Sequence, residues 1–315
     1  MVGTTRRGFI RQCLLGTGAL MAGSSLEGLA GSGTRLEISL AEWSLHRAIY
    51  GGKLDHLDFP AKAKRDFGIS AVEYVNGFFG SRKMNFQEAG KNADYLKELL
   101  KRSKDAGVVS HLLMVDDEGP LATTNEKARL AAVDNHKKWV EAAKLLGCKT
   151  VRVNLLGEGS AEEKKTASVD SLGRLGELAG TMKINIVVEN HGGVTSDAAW
   201  LVSVVKQVSR PNVGTLPDFG NFCLSQPWGT TQDGCENMYD RYEGVQELLP
   251  YAKGVSAKSY DFDANGEQPL MDYERLIGLV KASGYKGYIG IEFEGNTQDE
   301  EDGIRKTKAL LEKYL

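Results

Sequence analysis

The sequence predicts an α/β fold, a single-domain (β/α)8 TIM barrel, and three observations lead to this class. Short apolar runs typical of buried parallel strands alternate about eight times with helical patterns along the 315-residue chain. Most of these runs begin about 35–40 residues apart, which leaves room for a helix and a right-handed crossover. No G-x-G-x-x-G phosphate-binding turn follows the first strand, so a doubly wound open sheet is the less favoured alternative.

The predicted elements follow one another with no low-complexity linker between them, and the barrel is predicted to occupy residues 35–315. The strand candidates are Leu36–Leu40, Ala71–Val75, Val108–Met114, Thr150–Asn154, Ile184–Glu189, Val213–Leu216, Gly254–Lys258 and Tyr288–Glu292. Apolar stripes at helical spacing precede Gly107, Gly147 and Gly284, and glycine readily ends a helix. A last helix is predicted over about residues 300–314.

The first 30 residues (1–30) are predicted to be a twin-arginine-type signal peptide. Arg6 and Arg7 precede a mildly apolar run, roughly residues 13–22, that is too short to span a bilayer. Small residues suit cleavage after Ala30. This pattern implies export of a folded protein to the periplasm or the medium, without stable membrane association afterwards. A disordered basic tail is the alternative.

The charge of the chain argues against nucleic acid as a partner. The net charge is −3 and the pI is about 6.0, whereas a broad nucleic-acid interface is normally basic. Beyond the N-terminal segment, no run is long and apolar enough to predict a membrane helix.

Three acidic residues stand at the ends of predicted strands. They are Glu189 in IVVENHGG, Asp218 in VGTLPDFGNF and Glu292 in YIGIEFEG. The carboxyl ends of barrel strands open onto one face, so these carboxylates should meet there and repel one another unless a positive charge lies among them. Oxygen ligands of this kind suit Mg²⁺, Mn²⁺ or a similar divalent cation. Taken singly, each acid could instead be a helix cap or a solvated loop residue.

Other side chains predicted on the same face are candidates for substrate binding. The long irregular segment after the second of these acids carries Trp228 and Arg241, which suit a polyhydroxylated substrate, although a subunit contact or a surface flap fits equally well. Trp43, in the loop after the first strand, could line a pocket or belong to the core or the surface. Glu73, near the end of the second strand, could orient substrate or pair with Arg152.

Cysteine usage allows one disulfide. Cys148, Cys223 and Cys235 lie beyond the predicted signal peptide, and an odd number leaves at least one free thiol. Cys223 and Cys235 belong to one long loop and could pair in the periplasm. No CxxC or Cys/His cluster suggests zinc.

Nearly everything after residue 35 resembles the xylose-isomerase-like barrel superfamily of sugar phosphate isomerases and epimerases. The resemblance rests on VVEN, PDFGN, AKSYDF and GYKGYIGIEFEG, which follow one another in that order. It implies a divalent metal ion, most often Mn²⁺, Mg²⁺ or Co²⁺, held by acids from strands five, six and eight and by His or Gln from strand seven. The implied metal ligands in this chain are Glu189, Asp218 and Glu292.

Two positions depart from the pattern of that superfamily. Ser256 stands where strand seven often carries a His ligand, so the fourth coordination position could be filled by water, by Ser256 or by His191. Asn221 stands three residues after Asp218, where epimerases often have a His that contacts the sugar. The departures bear on the epimerase activity that the resemblance implies, and not on the barrel or on the three acidic ligands.

The resemblance implies that Glu189 and Glu292 move a proton at the carbon beside a sugar carbonyl, through an enediolate. Lys258 is predicted on the same side of strand seven as Ser256. It would stabilise oxyanion charge or protonate a leaving group, and an ion pair with Glu294 is the alternative. The expected function is a metal-dependent isomerase or epimerase of an unphosphorylated sugar or keto-sugar.

Three alternatives remain open. A lyase could cleave 3-keto-glycosides on the same metal site. A non-catalytic carbohydrate-binding barrel would account for the missing His on strand seven. An endonuclease of the related abasic-site class would need a basic groove and more histidines than the five in this chain. The expected partner is a small-molecule sugar and not nucleic acid, and a homo-oligomer is compatible with the sequence.

Overall fold

The computed structural model of the protein describes residues 36–81 and 83–315, and in this part of the chain eight parallel strands alternate with helices. The strands are β1 Glu37–Ala41, β2 Ala71–Val75, β3 Val109–Val115, β4 Thr150–Val153, β5 Asn185–Glu189, β6 Val213–Leu216, β7 Val255–Ser259 and β8 Tyr288–Phe293. The helices are α1 His46–Tyr50, α2 Phe59–Phe67, α3 Phe86–Ala89, α4 Ala93–Asp105, α5 Glu126–Leu146, α6 Ala161–Thr181, α7 Ala198–Val208, α8 Arg241–Leu248, α9 Tyr273–Ala282 and α10 Glu300–Tyr314. The predicted (β/α)8 barrel is confirmed, with strand bounds close to those expected.

The sheet closes on itself, which excludes the doubly wound alternative. The strand order is β6-β5-β4-β3-β2-β1-β8-β7, so the first strand pairs with the last. Between β6 and β7 the connection is made by isolated bridges, one of which joins Asp218 to Ser256. There, the Ser256 N–H donates to Pro217 O at 2.9 Å and the Phe219 N–H donates to Ser256 O at 3.1 Å. The barrel therefore closes beside one of the predicted metal ligands.

Local sequence signals set the ends of the long helices. Ser160 and Glu163 form a reciprocal capping box at the start of α6. Asn125 caps α5 by accepting from Ala128 N. Gly147 ends α5 in the left-handed region with φ 88°, a conformation that glycine adopts without steric cost.

The barrel interior admits polar side chains where glycine leaves room for them. A Cβ on Gly290 of β8 would lie 2.5 Å from Glu73 Oε1 of β2. A Cβ on Gly220 would lie 2.7 Å from Lys258 Cγ. Because these two glycines have no side chain, they leave space for the Glu73 carboxylate and for the aliphatic part of the Lys258 side chain in an otherwise close-packed interior.

The long segment between β6 and α8 is ordered by a disulfide and by backbone hydrogen bonds. Cys223 and Cys235 are bonded, with a Cα–Cα distance of 5.8 Å, whereas Cys148 is buried as a free thiol. Leu224 N donates to Asn237 O at 2.9 Å across this segment. The disulfide anticipated as one option from the sequence is thus present.

The predicted signal peptide, residues 1–30, lies outside the described residues and stays a prediction. Among the residues that the structure describes, no helix is both long enough and apolar enough to cross a membrane.

Candidate metal centre and active site

Three carboxylates meet at the carboxyl ends of β5, β6 and β8. Glu189 ends β5, Asp218 follows β6, and Glu292 lies near the end of β8. Each offers an oxygen atom within 4.8 Å of the other two, and all three side chains are buried. Strand termini from separate parts of the sequence therefore produce the acidic cluster expected from their pattern.

Asp218 is oriented by main-chain groups through one of its two oxygens. Its Oδ1 accepts from Gly220 N at 2.7 Å and from Asn221 N at 2.8 Å. Asn190 holds the same turn, since its Oδ1 accepts from Asp218 N at 2.8 Å and its Nδ2 donates to Asp218 O at 3.0 Å. The other oxygen, Oδ2, is buried, and no described residue donates a well-aligned hydrogen bond to it, although the nearby Ser256 hydroxyl lowers the pKa of Asp218. A donor or a cation at this oxygen would satisfy it.

Two cationic side chains lie against the acids. Lys258 Nζ is 2.9 Å from Glu292 Oε1 and 2.9 Å from Glu294 Oε2. Arg152 Nε is 3.0 Å from Glu189 Oε2, and its Nη1 is 2.5 Å from Asp116 Oδ1. The network thus carries five carboxylates, counting Asp218, against two cations.

Burial governs the protonation of these acids. Burial, together with the charge of Glu292, raises the pKa of Asp218 to about 6, although Lys258 opposes this shift. Burial also raises the pKa of Glu189 well above its usual value, against the opposing charge of Arg152. Burial alone would lower the pKa of Lys258, but Glu292 and Glu294 raise it well above normal. Lys258 is therefore charged, whereas burial and mutual repulsion favour the neutral forms of Asp218 and Glu189 unless a further positive charge lies among the acids.

The acidic cluster fits a divalent cation. Its donor set is made of carboxylate oxygens, which suit Mn²⁺, Mg²⁺ or Co²⁺, and Asp218 Oδ2 is a buried acceptor to which none of residues 36–81 and 83–315 donates a well-aligned hydrogen bond. Glu189, Asp218 and Glu292 are the residues that could hold the ion. Of the sequence candidates for a fourth ligand, Ser256 Oγ donates to Glu292 Oε2 at 3.1 Å, and His191 Nδ1 lies 2.9 Å from Asn154 Oδ1.

Trp43 and Asn221, two of the predicted substrate-binding residues, are joined to the acidic cluster. Trp43 Nε1 donates to Glu294 Oε1, which places the indole next to the partner of Lys258. Asn221 Nδ2 donates to Glu189 Oε1 at 3.3 Å. Asn221 therefore contacts the acidic cluster directly, Trp43 contacts a carboxylate next to it, and the roles of both in substrate binding stay predictions.

Glu73 and Arg241 have partners inside the protein. Glu73 Oε1 accepts from Ser39 Oγ at 2.5 Å, and burial, followed by the charge of Glu292, raises the pKa of Glu73 to about 7. Arg241 is buried and donates to Phe219 O at 2.8 Å and to Thr231 Oγ1 at 3.1 Å. Arg241 thus ties α8 to the segment after β6. Their roles in substrate binding stay predictions.

Sequence reasoning missed Asp116, Asn154 and Asn190, which support the site. Asp116 accepts from both Arg152 Nη1 and Asn154 Nδ2 at 2.5 Å. All three residues follow a strand directly, so the signal that identified the acids could have found them. Arg152 was considered only as a partner of Glu73, and its ion pairs are instead with Asp116 and Glu189.

Comparison with known proteins gives one family match that covers most of the chain. A family model described as a xylose isomerase-like TIM barrel matches residues 61–314. That range includes every strand from β2 to β8 and all three clustered acids.

Individual relatives are more distant. The C-glycoside deglycosidase alpha subunit of Arthrobacter globiformis is 33% identical over 75 residues, which are 22% of this chain and 21% of that protein. The chain therefore matches only about a fifth of that relative's length.

Two solved structures share the fold. A 3-keto-D-glucoside 4-epimerase from E. coli superposes with a TM-score of 0.62 at 14% identity, covering 89% of this chain and 100% of the other. The IolI protein, solved with a bound zinc atom, gives a TM-score of 0.63 at 16% identity, covering 89% and 99%.

Proposed function

This chain belongs to the xylose isomerase-like TIM barrel family, and we propose that it is a divalent-metal-dependent isomerase or epimerase of a sugar or keto-sugar. The observation that carries the proposal is the convergence of Glu189, Asp218 and Glu292 within 4.8 Å at the carboxyl ends of three strands. This end of the barrel is where enzymes of this architecture place their active sites. The solved neighbour that acts on a keto-sugar shares this fold.

A divalent ion held by these three acids would polarise a sugar carbonyl as a Lewis acid. The protein side chains supply the proton transfers. Glu189 and Glu292 reach the cluster from different strands, β5 and β8, so each could approach the carbon beside the carbonyl from its own side. One carboxylate removes the proton to leave an enediolate. Epimerisation is completed when the other carboxylate returns a proton to the opposite face of the same carbon. Isomerisation is completed when a proton returns to the former carbonyl carbon while the hydroxyl proton moves between the two oxygens.

Lys258 provides positive charge at the same place. Its ammonium is buried, lies 2.9 Å from Glu292 Oε1, and keeps its charge because of its two carboxylate neighbours. A fixed cation in a site with little water stabilises negative charge that develops on a substrate oxygen. Lys258 therefore stabilises the negative charge on the enediolate oxygen, and its ion pair with Glu294 holds the ammonium in position.

A lyase that cleaves 3-keto-glycosides is the second candidate, and the deglycosidase name of the curated relative favours it. In that reaction one of the same two carboxylates, Glu189 or Glu292, removes the proton from the carbon beside the 3-keto group. The electron pair then forms a carbon–carbon double bond and expels the group on the next carbon. The leaving group takes a proton from an acid such as Lys258. Both candidates use the same residues up to the loss of that group.

The substrate is proposed to be an unphosphorylated sugar outside the cytoplasm. The twin-arginine pattern motivates export. The Cys223–Cys235 disulfide supports it, because disulfides persist in oxidising compartments such as the periplasm.

Metal binding and carbon-bound proton exchange test this proposal together. The Asp218→Asn variant keeps Oδ1, which accepts two main-chain hydrogen bonds, and removes the charge at Oδ2. Mn²⁺ affinity measured by calorimetry should fall by more than the roughly 10- to 100-fold typical of losing an outer partner of a metal ligand. Asp263→Asn is the matched control, since Asp263 Oδ1 also accepts two main-chain N–H groups and is exposed.

The catalytic arm uses a panel of aldoses, ketoses and 3-keto-glycosides in D₂O. The Mn²⁺-loaded protein should incorporate deuterium beside the carbonyl of its substrate, and Glu189→Gln and Glu292→Gln should abolish the exchange. Unchanged Mn²⁺ affinity in Asp218→Asn would contradict the metal site. Metal binding without exchange on any sugar would instead favour a carbohydrate-binding barrel.

A further inference from the structure

A cavity of about 310 Å³ opens beside the ends of β4 and β5. Its walls include the apolar residues Leu155, Leu156, Val194, Pro227 and Trp228, together with the ring of His191. His191 lies two residues beyond Glu189, so the cavity adjoins the acidic cluster along the chain. Its volume is at the lower end of the roughly 300–1,000 Å³ usual for small-ligand sites.

Trp228 forms one wall in an unusual backbone conformation. Its φ is 59° and its ψ is 6°, a left-handed conformation that is rare for a bulky residue. Its side chain is nevertheless 48% exposed, and its ring centroid lies 4.9 Å from that of His191. Backbone strain of this kind persists where the surroundings enforce it, and it often marks ligand sites.

The surroundings of Trp228 enforce this position by backbone contact. A Cβ on Gly192 would lie 2.7 Å from Trp228 N and 2.8 Å from Gly229 N. Gly229 O accepts from Cys223 N at 2.9 Å, and Cys223 is covalently linked to Cys235. The indole is therefore presented by a fixed segment while half of its surface stays available for contact.

Three polar side chains of the cavity, those of Asn154, His191 and Thr195, are already bonded within the protein, and the Lys164 side chain adds one cation to the lining. His191 Nδ1 lies 2.9 Å from Asn154 Oδ1, and Asn154 Nδ2 donates to Asp116 Oδ1. Thr195 Oγ1 accepts from His191 N and donates to Gly192 O. A second sugar ring would need many free hydrogen-bond partners, whereas a flat apolar ring needs only surface to stack on. The lining favours the apolar ring.

We propose that this cavity is the subsite for an aromatic aglycone of a glycoside whose sugar occupies the acidic cluster, with Trp228 as the specificity-determining residue. The proposal rests on the proposed function for the location of the sugar. It adds that the substrate is a glycoside with an aromatic substituent rather than a free sugar.

The test compares phenyl β-D-glucopyranoside with methyl β-D-glucopyranoside on the Mn²⁺-loaded full chain by calorimetry. These unoxidised glycosides avoid turnover of a keto-sugar during the titration. The phenyl compound should bind about three- to tenfold more tightly, the ratio given by an aromatic contact of about 0.5–1.5 kcal/mol. Trp228→Ala should remove this advantage without changing affinity for the methyl compound, and Trp228→Phe should retain most of it.

Met238→Ala is the matched control, because Met238 is 52% exposed on the same disulfide-linked segment and does not line the cavity. It should behave as the wild type. The subsite is overturned by equal affinity of the wild type for both glycosides, or by an unchanged phenyl-to-methyl ratio in Trp228→Ala.

Phenol, followed by saturation-transfer NMR, separates the failure of the subsite from that of the proposed function. If neither glycoside binds but phenol contacts the wild type and not Trp228→Ala, the aromatic site stands and the glycoside function fails. If both glycosides bind equally, the function stands and the subsite fails. Absence of binding by all three compounds overturns the subsite, whereas the proposed function is then decided by deuterium exchange on the sugar panel.

Discussion

The Lys258 ammonium has a carboxylate oxygen at 2.9 Å on each of two sides, Glu292 Oε1 and Glu294 Oε2. Glu294 also accepts from Trp43 Nε1. The ion pair that the sequence offered as an alternative to a catalytic role is therefore present, but it lies inside the candidate site. The two carboxylate contacts hold the ammonium in place and also keep it charged.

Removing this cation should destabilise the metal-free protein. Lys258→Met leaves Glu292 and Glu294 without their positive partner, and breaking a buried ion pair typically costs about 3–5 kcal/mol. Urea unfolding without metal should show a loss of that order, and added Mn²⁺ should restore part of it because the ion neutralises the same acids. The control is Lys253→Met, because Lys253 pairs with no carboxylate among the described residues. A loss below about 1 kcal/mol would contradict the buried ion pair.

His111 makes stability depend on pH away from the acidic cluster. Its Nε2 is buried without a hydrogen bond among the described residues, and burial lowers the pKa of His111 to about 4. The unfolded chain takes up the proton near pH 6.5, so stability is complete above that pH and falls as the pH drops toward 4. The loss from this residue reaches about 3 kcal/mol.

His111→Gln should weaken the dependence of the free energy of unfolding on pH in this range. Denaturant unfolding at pH 8 and pH 4.5 measures the difference between the two proteins, and the pH 8 value corrects for any packing change that the substitution causes. An unchanged pH dependence in His111→Gln would show that His111 does not carry the effect.

A glycine in one strand leaves space in the barrel interior for a side chain from another strand. Gly290 in β8 leaves room for the Glu73 carboxylate, which crosses from β2 and accepts from Ser39 Oγ. No pattern of apolar residues indicates such a pair, since it depends on β2 and β8 lying on either side of β1 in the closed sheet. The same reasoning applies to Gly192, which permits the close approach of the segment that carries Trp228.

Gly290→Ala should destabilise the protein by about 1–3 kcal/mol, the usual cost of overpacking a close-packed interior. Glu73→Ala should relieve most of this cost when the two changes are combined, because it removes the oxygen that the new methyl group would meet. A double-mutant cycle measured by urea unfolding gives the coupling energy. Additive effects of the two changes would contradict this contact.

The barrel as a whole gathers strand ends that are far apart in sequence onto one face. The residues at or next to the carboxyl ends of strands that contribute to one network are Asp116, Asn154, Glu189, Asp218 and Glu292. The segment after β6, closed by the Cys223–Cys235 disulfide, adds a wall to that face. The disulfide supports the proposal that the protein is exported, because disulfides persist in oxidising compartments.

Export through the twin-arginine route is tested on the full chain. Changing Arg6 and Arg7 to Lys should trap the precursor in the cytoplasm, because the paired arginines identify this class of signal. Immunoblots of periplasmic and cytoplasmic fractions would measure the distribution. Normal periplasmic accumulation of the double variant would contradict this route.

The sequence by itself determined the strand and helix order, because apolar runs, helical stripes and terminal glycines are local signals. It also placed Glu189, Asp218 and Glu292 at strand ends, and barrel geometry then required them to lie on one face. The possible Cys223–Cys235 pairing followed from their common loop, although the sequence could not decide between a disulfide and two free thiols.

Only the tertiary structure decided which charges neutralise one another. Arg152 pairs with Asp116 and Glu189 rather than Glu73, and Arg241 bonds the main chain of a neighbouring segment. Such choices depend on side-chain reach and strand register across the closed barrel, to which residues from distant parts of the chain contribute. Strand periodicity predicts which face of the sheet a side chain occupies, but it does not predict which neighbouring side chain lies within 3 Å of it.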